Sequence, residues 1–390
     1  MTDILSNIQS VSVKITSITG DQVDVTQFFT AINIYQSLIN RRFMNGRVVL
    51  ADTADLLSNL PIIGGEIVNI SIQNSYDSEF ANYEFKIYKV DRDTNTFKSI
   101  KKLKILNIYL CSTEELNNYT KISKKYTGTG TSIVQSLVTT NLQSSKTLST
   151  IADTSNLEFV SNFWTVEECL KYIENNTSGT YFDYIFYENN SGYHFKPLSS
   201  LFALSNTATY KFDLQTEQFI NIDNILQYQF DNHFDDLIWR KKGLFGSTGY
   251  KISDDLYQAD FLSETISDID SKIFHNGTNR TYNNDRDALN RIYVTYEDDV
   301  VNLVRTTHLN LLNRYNFVCQ FNGDMGRNVG DMVEIIFPSI DNESATGSDS
   351  FSGNWITSEI NTTIFQDNSL KQNITFAKNA LFNNFKLPRY

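Results

Sequence analysis

The sequence has little of what secreted, membrane-spanning or nucleic-acid-binding chains rely on. Its 390 residues hold three cysteines, Cys111, Cys169 and Cys319, far apart and with no Cys-x-x-Cys pair. Each sits among apolar neighbours, which argues against a disulfide framework or zinc ribbon and reads as buried free thiols in a reducing compartment. No apolar run approaches the ~18 residues a membrane helix needs. The opening "MTDILSNIQSVSVKITSITG" lacks a basic start, an apolar core and a small-residue cleavage site, so no signal peptide is expected. The sequons at Asn118, Asn361 and Asn373 then read as chance in an Asn-rich chain. Basic charge is also short: 33 Lys and Arg against 45 Asp and Glu give a formal net charge of −12. Such a chain is not built to hold phosphates, although DNA could pass it without sticking.

The motifs of catalysis are missing too. Gly64-Gly65-Glu66 fits neither GxGxxG nor GxxxxGK[ST], and an alternating strand follows it, whereas phosphate loops open helices. A structural turn is the better reading, with glycine supplying a positive φ. His194, His233, His275 and His308 form no HxxxH or HExxH pair, so no metal is expected. "DRDTNT" from Asp91 imitates the start of a calcium loop but has Thr96 where glycine belongs and Lys102 where glutamate belongs, leaving a turn cluster. Asp231, His233, Asp235 and Asp236 gather in "DNHFDD", which looks like a solvated strand face before it looks like an acid/base pair. No serine lies in a GxSxG elbow. Neither an enzyme nor a cofactor is expected.

What the chain does have is aromatic and amide-rich. Aromatic residues make up 13% (27 Phe, 21 Tyr) against only 4 Pro, and charged residues only 20%. Aromatic and β-branched side chains favour strands, and amides and hydroxyls cost less to desolvate than charges, which suits broad interfaces. The length suggests two or three domains.

Period-two alternation marks strands in "SVSVKITSI" (Val11, Val13, Ile15) and "EIVNISIQ" (Val68, Ile70, Ile72). Asp55 to Leu60 reads as a short helix closed by Pro61. After Cys111 the texture changes. "TSIVQSLVTTNL" has helical spacing with Thr131 as N-cap, and "WTVEECLKYIENN" has a capping box from Thr165 to Glu168 with Cys169, Leu170 and Ile173 as its apolar stripe. Tyr181 to Lys196 reads as a hairpin around Asn190-Ser191-Gly192. Strands return in "ATYKFDL" and "ILQYQFDNHFDDLIWRKK". Gly243 to Asn284 is a polar, weakly periodic excursion. "EDDVVNLVRTTHLNLLNRY" reads as a helix with acidic first turn and Arg314 in the last. Two strands around a Gly-rich turn follow, then the loop "DNESATGSDSFSG" and a hairpin in "WITSEINTTIFQDNSLKQNITFAKN". Gly64-Gly65-Glu66 before "IVNISIQ" and Val329-Gly330-Asp331 before "MVEIIFP" form a faint internal repeat.

The succession of "NGRVVLADTADLLSNLPIIGGEIVNISIQN", "WTVEECLKYIENN", "EDDVVNLVRTTHLNLLNRYNFVCQF" with "GRNVGDMVEIIF", and "NWITSEINTTIFQDNSLKQNITFAKNAL" resembles the central baseplate hub proteins of contractile-tailed bacteriophages of the T-even type, over nearly the whole chain. The resemblance implies a mainly β protein with minor α. It would contain two tail-tube-like β-barrel or sandwich domains plus mixed α/β outer domains. On this numbering the first tube-like domain is 1–111 and a mixed middle domain is 112–204. The second tube-like domain is 205–245 with 300–380, and 246–299 is an inserted segment. Residues 381–390 form a tail.

The implied role is structural: a homotrimer forms a pseudo-six-fold ring joining tail tube protein to central spike protein, beside other baseplate proteins. It lets genomic DNA pass without binding it and touches no membrane. Its place is the virion, with assembly in the host cytoplasm. Leu381, Phe382, Phe385, Leu387 and Tyr390 are candidate partner-docking residues, and Gly64, Gly65 and Gly330 are structural turns. The alternatives are another tail-tip or injection component, such as a tube terminator or secretion-system hub, and then a glycan-binding receptor-recognition protein. A glycan-cleaving enzyme comes last.

Overall fold

Alternation becomes strand where one face can be buried. In the computed structural model, β1 (Ile8–Thr16) pairs antiparallel with β5 (Ile67–Asn74), setting Val13 opposite Ile70 and Ile15 opposite Val68. These four and Ile72 are buried in one core, while Lys14 stays in solvent. The structure describes residues 8–52, 62–75, 80–93, 104–179, 183–212, 222–230, 246–252, 259–265, 290–294, 305, 309, 315–337 and 351–378. The protein is mainly β with minor α, and it carries a large antiparallel sheet.

The remaining strands of the N-terminal part are β2 (Gln22–Asp24), β3 (Phe29–Ser37), β4 (Asn45–Asp52), β6 (Phe80–Asp93) and β7 (Lys104–Ser112). The C-terminal part supplies β13 (Ala208–Lys211), β14 (Ile225–Phe230), β18 (Tyr315–Asn322), β19 (Met332–Ile336), β20 (Gly353–Phe365) and β21 (Leu370–Lys378). Together they make one 13-stranded sheet running β14-β18-β21-β20-β3-β4-β7-β6-β5-β1-β2, with β19 on β20 and β13 on β19. Two cores lie under it. One holds Val13, Ile32, Val48, Ile70, Phe85 and Leu106; the other holds Phe317, Phe321, Ile335, Trp355, Ile360 and Phe376.

The two halves repeat. The path β3-β4-β7-β6-β5-β1 has its counterpart in β14-β18-β21-β20-β19-β13, in the same chain order. Even the irregularities recur. A bulge interrupts β3 between Phe29 and Ala31, and another interrupts β14 between Ile225 and Gln227. β6 is bulged after Ile87 and β20 after Thr357. Bulges are specific features rather than defects, so matched bulges at matched registers align the halves residue by residue. One departure stands out: β1 runs antiparallel to β5, whereas β13 runs parallel to β19.

Between the halves lies a mixed region with β8 (Ile122–Gly128) on β10 (Leu157–Trp164), and β9 (Leu148–Thr150), β12 (Gly192–Pro197) and β11 (Tyr184–Asn189) in a second sheet. The hairpin β11–β12 turns through Asn190 and Ser191, with Asn189 opposite Gly192. The helix Val166–Asn176 starts with the expected capping box, Thr165 accepting from Glu168 N and the Glu168 carboxylate accepting from Thr165 N. It buries Cys169, Leu170 and Ile173. The helix Gly130–Ser136 is capped by Thr129, not Thr131; Thr131 lies inside it and gives its hydroxyl to Asp153. A π-helical stretch, Leu137–Asn141, follows.

The excursion from Gly243 is more regular than its sequence suggests. β15 (Gly246–Ile252), β16 (Ala259–Thr265) and β17 (Asn290–Val294) form a separate three-stranded sheet. Small and polar residues hide its alternation. "DRDTNT" is not wholly a turn, because Asp91, Arg92 and Asp93 continue β6, and the rest lies outside the described residues. Also outside them are the 55–60 helix, "DNHFDD" from residue 231, most of the loop from 341, and the tail from 381. Of the helix expected in "EDDVVNLVRTTHLNLLNRY" (297–315), Arg305 and Leu309 are described as helical, and Tyr315 already belongs to β18.

Candidate assembly interface

Among the described residues, the three cysteines and His194 are held in structural roles. Among the described residues no three His, Cys, Asp or Glu side chains are placed to hold a metal. All three cysteines are free and buried, and burial pushes the Cys111 and Cys169 thiols up to about 12 and about 11, far from the thiolate range that reactivity requires. His194 shares Nε2 with Asn189 Oδ1 at 2.8 Å and Ser191 Oγ at 3.0 Å and stacks on Tyr187 with centroids 4.7 Å apart. Burial holds its pKa down to about 4, so it is neutral.

The turn glycines are positioned alike. Gly64, Gly65 and Gly330 have φ of +109°, +89° and +89°, a region that glycine enters without strain. Gly65 N donates to Ile87 O at 2.8 Å and Ile87 N to Glu66 O at 2.9 Å; Gly330 N donates to Thr357 O and Thr357 N to Asp331 O, both at 2.9 Å. The acidic residue has a job in each copy. Glu66 accepts from Ile63 N at 2.7 Å, three residues upstream, and Asp331 accepts from Asn328 N at 3.2 Å, again three upstream. Burial raises Asp331 to about 6. The turn is therefore glycine for its φ and acid for its stray N–H groups, followed by a strand. Only at Gly330 is the space filled: a Cβ there would lie 2.8 Å from Tyr187 Oη, while nothing lies within 4 Å at Gly65.

The halves meet strand to strand. Glu359–Phe365 of β20 pairs antiparallel with Ala31–Ser37 of β3. Ile32, Ile34, Ile360, Thr362 and Ile364 are buried there, and Thr363 Oγ1 donates to Asn33 Oδ1 at 2.9 Å. Gln36 Nε2 reaches Asn190 Oδ1 at 2.9 Å, so the β11–β12 turn clamps the same joint. On the edge away from β21, β20 serves two neighbours in turn, because its first part, Gly353–Ile356, pairs with β19.

A buried ionic cluster ties the mixed region to the N-terminal half. Glu188, fully enclosed, accepts from Lys146 Nζ at 2.7 Å, Ser112 Oγ at 3.0 Å and Met44 N at 2.9 Å. Lys146 also bridges Glu114 at 2.8 Å. Burial pushes Glu188 up against the pull of Lys146. Burial also works to raise Glu114, but Lys146 and hydroxyl donors outweigh it and hold that carboxyl at about 2. Nearby, Arg42 pairs with Glu174 at 2.6 Å, and Arg305 Nε donates to Asn175 Oδ1 at 3.1 Å. No motif announces these groups in the sequence; their ion-pair partners lie 32 or more residues away.

No known protein-family profile matches the chain, and no curated protein matches it. The fold does have solved counterparts. A tail protein from Neisseria meningitidis MC58 superposes with a TM-score of 0.58 at 10% identity, covering 95% of this chain and 97% of that one. The 43 kDa tail protein of prophage MuSo2 from Shewanella oneidensis gives 0.59 at 11% identity, covering 95% and 100%. The chain thus has, end to end, a fold found in phage-type tail proteins.

Proposed function

We propose that this protein is a structural hub subunit of a phage tail baseplate, and not an enzyme. Three copies form a pseudo-six-fold ring that joins the tail tube to the central spike and lets DNA pass. The observation that carries the reading is the duplication: two halves of one chain with the same strand order and the same bulges let three chains offer six like modules. The likeness of fold to two tail proteins supports the setting. On this reading residues 1–111 and 205–245 with 300–380 are the ring modules, and 112–204 and 246–299 reach other baseplate proteins. Leu381, Phe382, Phe385, Leu387 and Tyr390 then dock on a partner.

Mass measurement and electron microscopy of the purified protein test this. A particle of three 44.7 kDa chains with six similar densities around a channel is expected. A monomer at every concentration, or an even-numbered closed dimer, overturns it. Removing 381–390 should leave the fold intact and weaken capture by tail partners. The excess of acidic residues predicts that assembled rings do not retain DNA at low salt.

A further inference from the structure

The chain contains one joint between like modules, and its geometry specifies a second. In the internal joint the stretch of β20 beyond its bulge pairs with the outer edge of β3. By the register of the repeat, the stretch of β20 after Thr357 corresponds to the stretch of β6 after Ile87, and β3 corresponds to β14. Both of these counterparts lack the partner strand. Among the described residues β6 pairs with β5 only from Phe80 to Lys86, and from Lys89 to Asp93 it pairs with β7 alone. Among the described residues β14 ends the strand path, with β18 on one side and, on the other, only the single Lys211–Asn224 bridge just before its start. Ile32 in β3 is 0% exposed beneath the internal joint, whereas its counterpart Tyr228 in β14 is 39% exposed, next to Leu226 at 40%.

Open sheet edges carry unpaired N–H and C=O groups and invite a further strand. We propose that these two edges are the faces of the joint between copies: the second part of β6 in one chain pairs antiparallel with β14 of the next. The register follows from the internal joint. Thr362 opposite Ile34 becomes Arg92 opposite Phe230 of the neighbour, and Thr363 opposite Asn33 becomes Asp93 opposite Gln229. The occupant is a second copy because the same chain already shows, in its own β20 and β3, two module edges that fit one another. Each copy gives one edge and receives on the other, a heterologous contact that closes as a ring. The inference rests on the ring reading above and names which strands meet.

Cross-linking tests it. Residues opposite each other in an antiparallel pair have Cα atoms about 4.5–5.5 Å apart, within disulfide reach. The native thiols are buried and do not compete. In the full-length chain, D93C/Q229C should oxidise into covalent multimers up to a trimer. N33C/T363C serves as the control and should form a link within one chain. D93C and Q229C as single variants should not link alone but should give a dimer when mixed and reassembled. These single variants also keep the test open should the double variant fold poorly. If trimers form and the control links while D93C/Q229C does not, or if D93C links to itself, the proposed pairing is wrong and the ring stands. If no trimer forms in the native chain, the ring reading falls, and this pairing with it.

Discussion

Replacing Gly330 with alanine makes two separate demands on the turn ahead of β19. The backbone must keep φ at +89°, where a Cβ meets its own chain at a cost of about 1–2 kcal/mol. The new methyl must also share space with Tyr187, whose Oη would be 2.8 Å away and whose ring atoms Cζ and Cε2 would be 3.3 and 3.4 Å away. Tyr187 is buried and stacked on His194, so it has little room to retreat, and overpacking of that kind costs about 1–3 kcal/mol. Gly65→Ala isolates the first demand, since its φ is the same and its surroundings are open. Urea unfolding should therefore show a loss of about 1–2 kcal/mol for Gly65→Ala and about 2–5 kcal/mol for Gly330→Ala. Adding Tyr187→Phe to Gly330→Ala removes the nearest atom and should recover part of the difference. Equal losses at the two glycines, or no recovery with Tyr187→Phe, would refute this account of the turn.

Lys146→Met leaves Glu188 enclosed without its cation and should destabilise by about 3–5 kcal/mol in denaturant titration, with Glu188→Gln in the same chain restoring much of it. His194, held near 4 against an ordinary 6.5, refuses a proton that the unfolded chain accepts, so stability should fall as pH drops from 6.5 towards 4. Asp331, raised to about 6 from 3.8, works the other way: the folded chain takes up a proton first, and stability gains as pH falls through 6 towards 3.8. Because the two effects offset, the melting temperature between pH 6 and pH 4 should tilt towards greater stability at low pH in His194→Gln and towards lower stability at low pH in Asp331→Asn. Thr165→Ala removes a complete capping box and should cost about 1 kcal/mol, read by the same titration.

Legibility followed the range of the interactions. β1, β5 and the β20–β21 hairpin were visible because alternation is local, and the cap at Thr165 because donor and acceptor are three residues apart. The cap at Thr129 lies two residues before Thr131, where local sequence points, for the opposite reason. Asp153 takes the N–H groups of Gly130 and Thr131 and the Thr131 hydroxyl, and nothing near Thr131 reveals a carboxylate 22 residues on. The duplication showed only as a glycine and an acid before a strand, because those residues alone are fixed by the turn. The strands around them need only alternate, so Phe85 can stand in one half where Trp355 stands in the other. The β20–β3 joint spans some 330 residues and rests on backbone bonds that any strand sequence can make.

The long insertion bearing β15, β16 and β17 falls between β14 and β18, at the place where the N-terminal half has only the short connection from Ser37 to Asn45. Any closed assembly of these modules would therefore be smooth at one position and elaborated at the next, all the way round. In such an assembly the two like units of one chain would present unlike outer faces, and neighbouring positions would be told apart by this insertion.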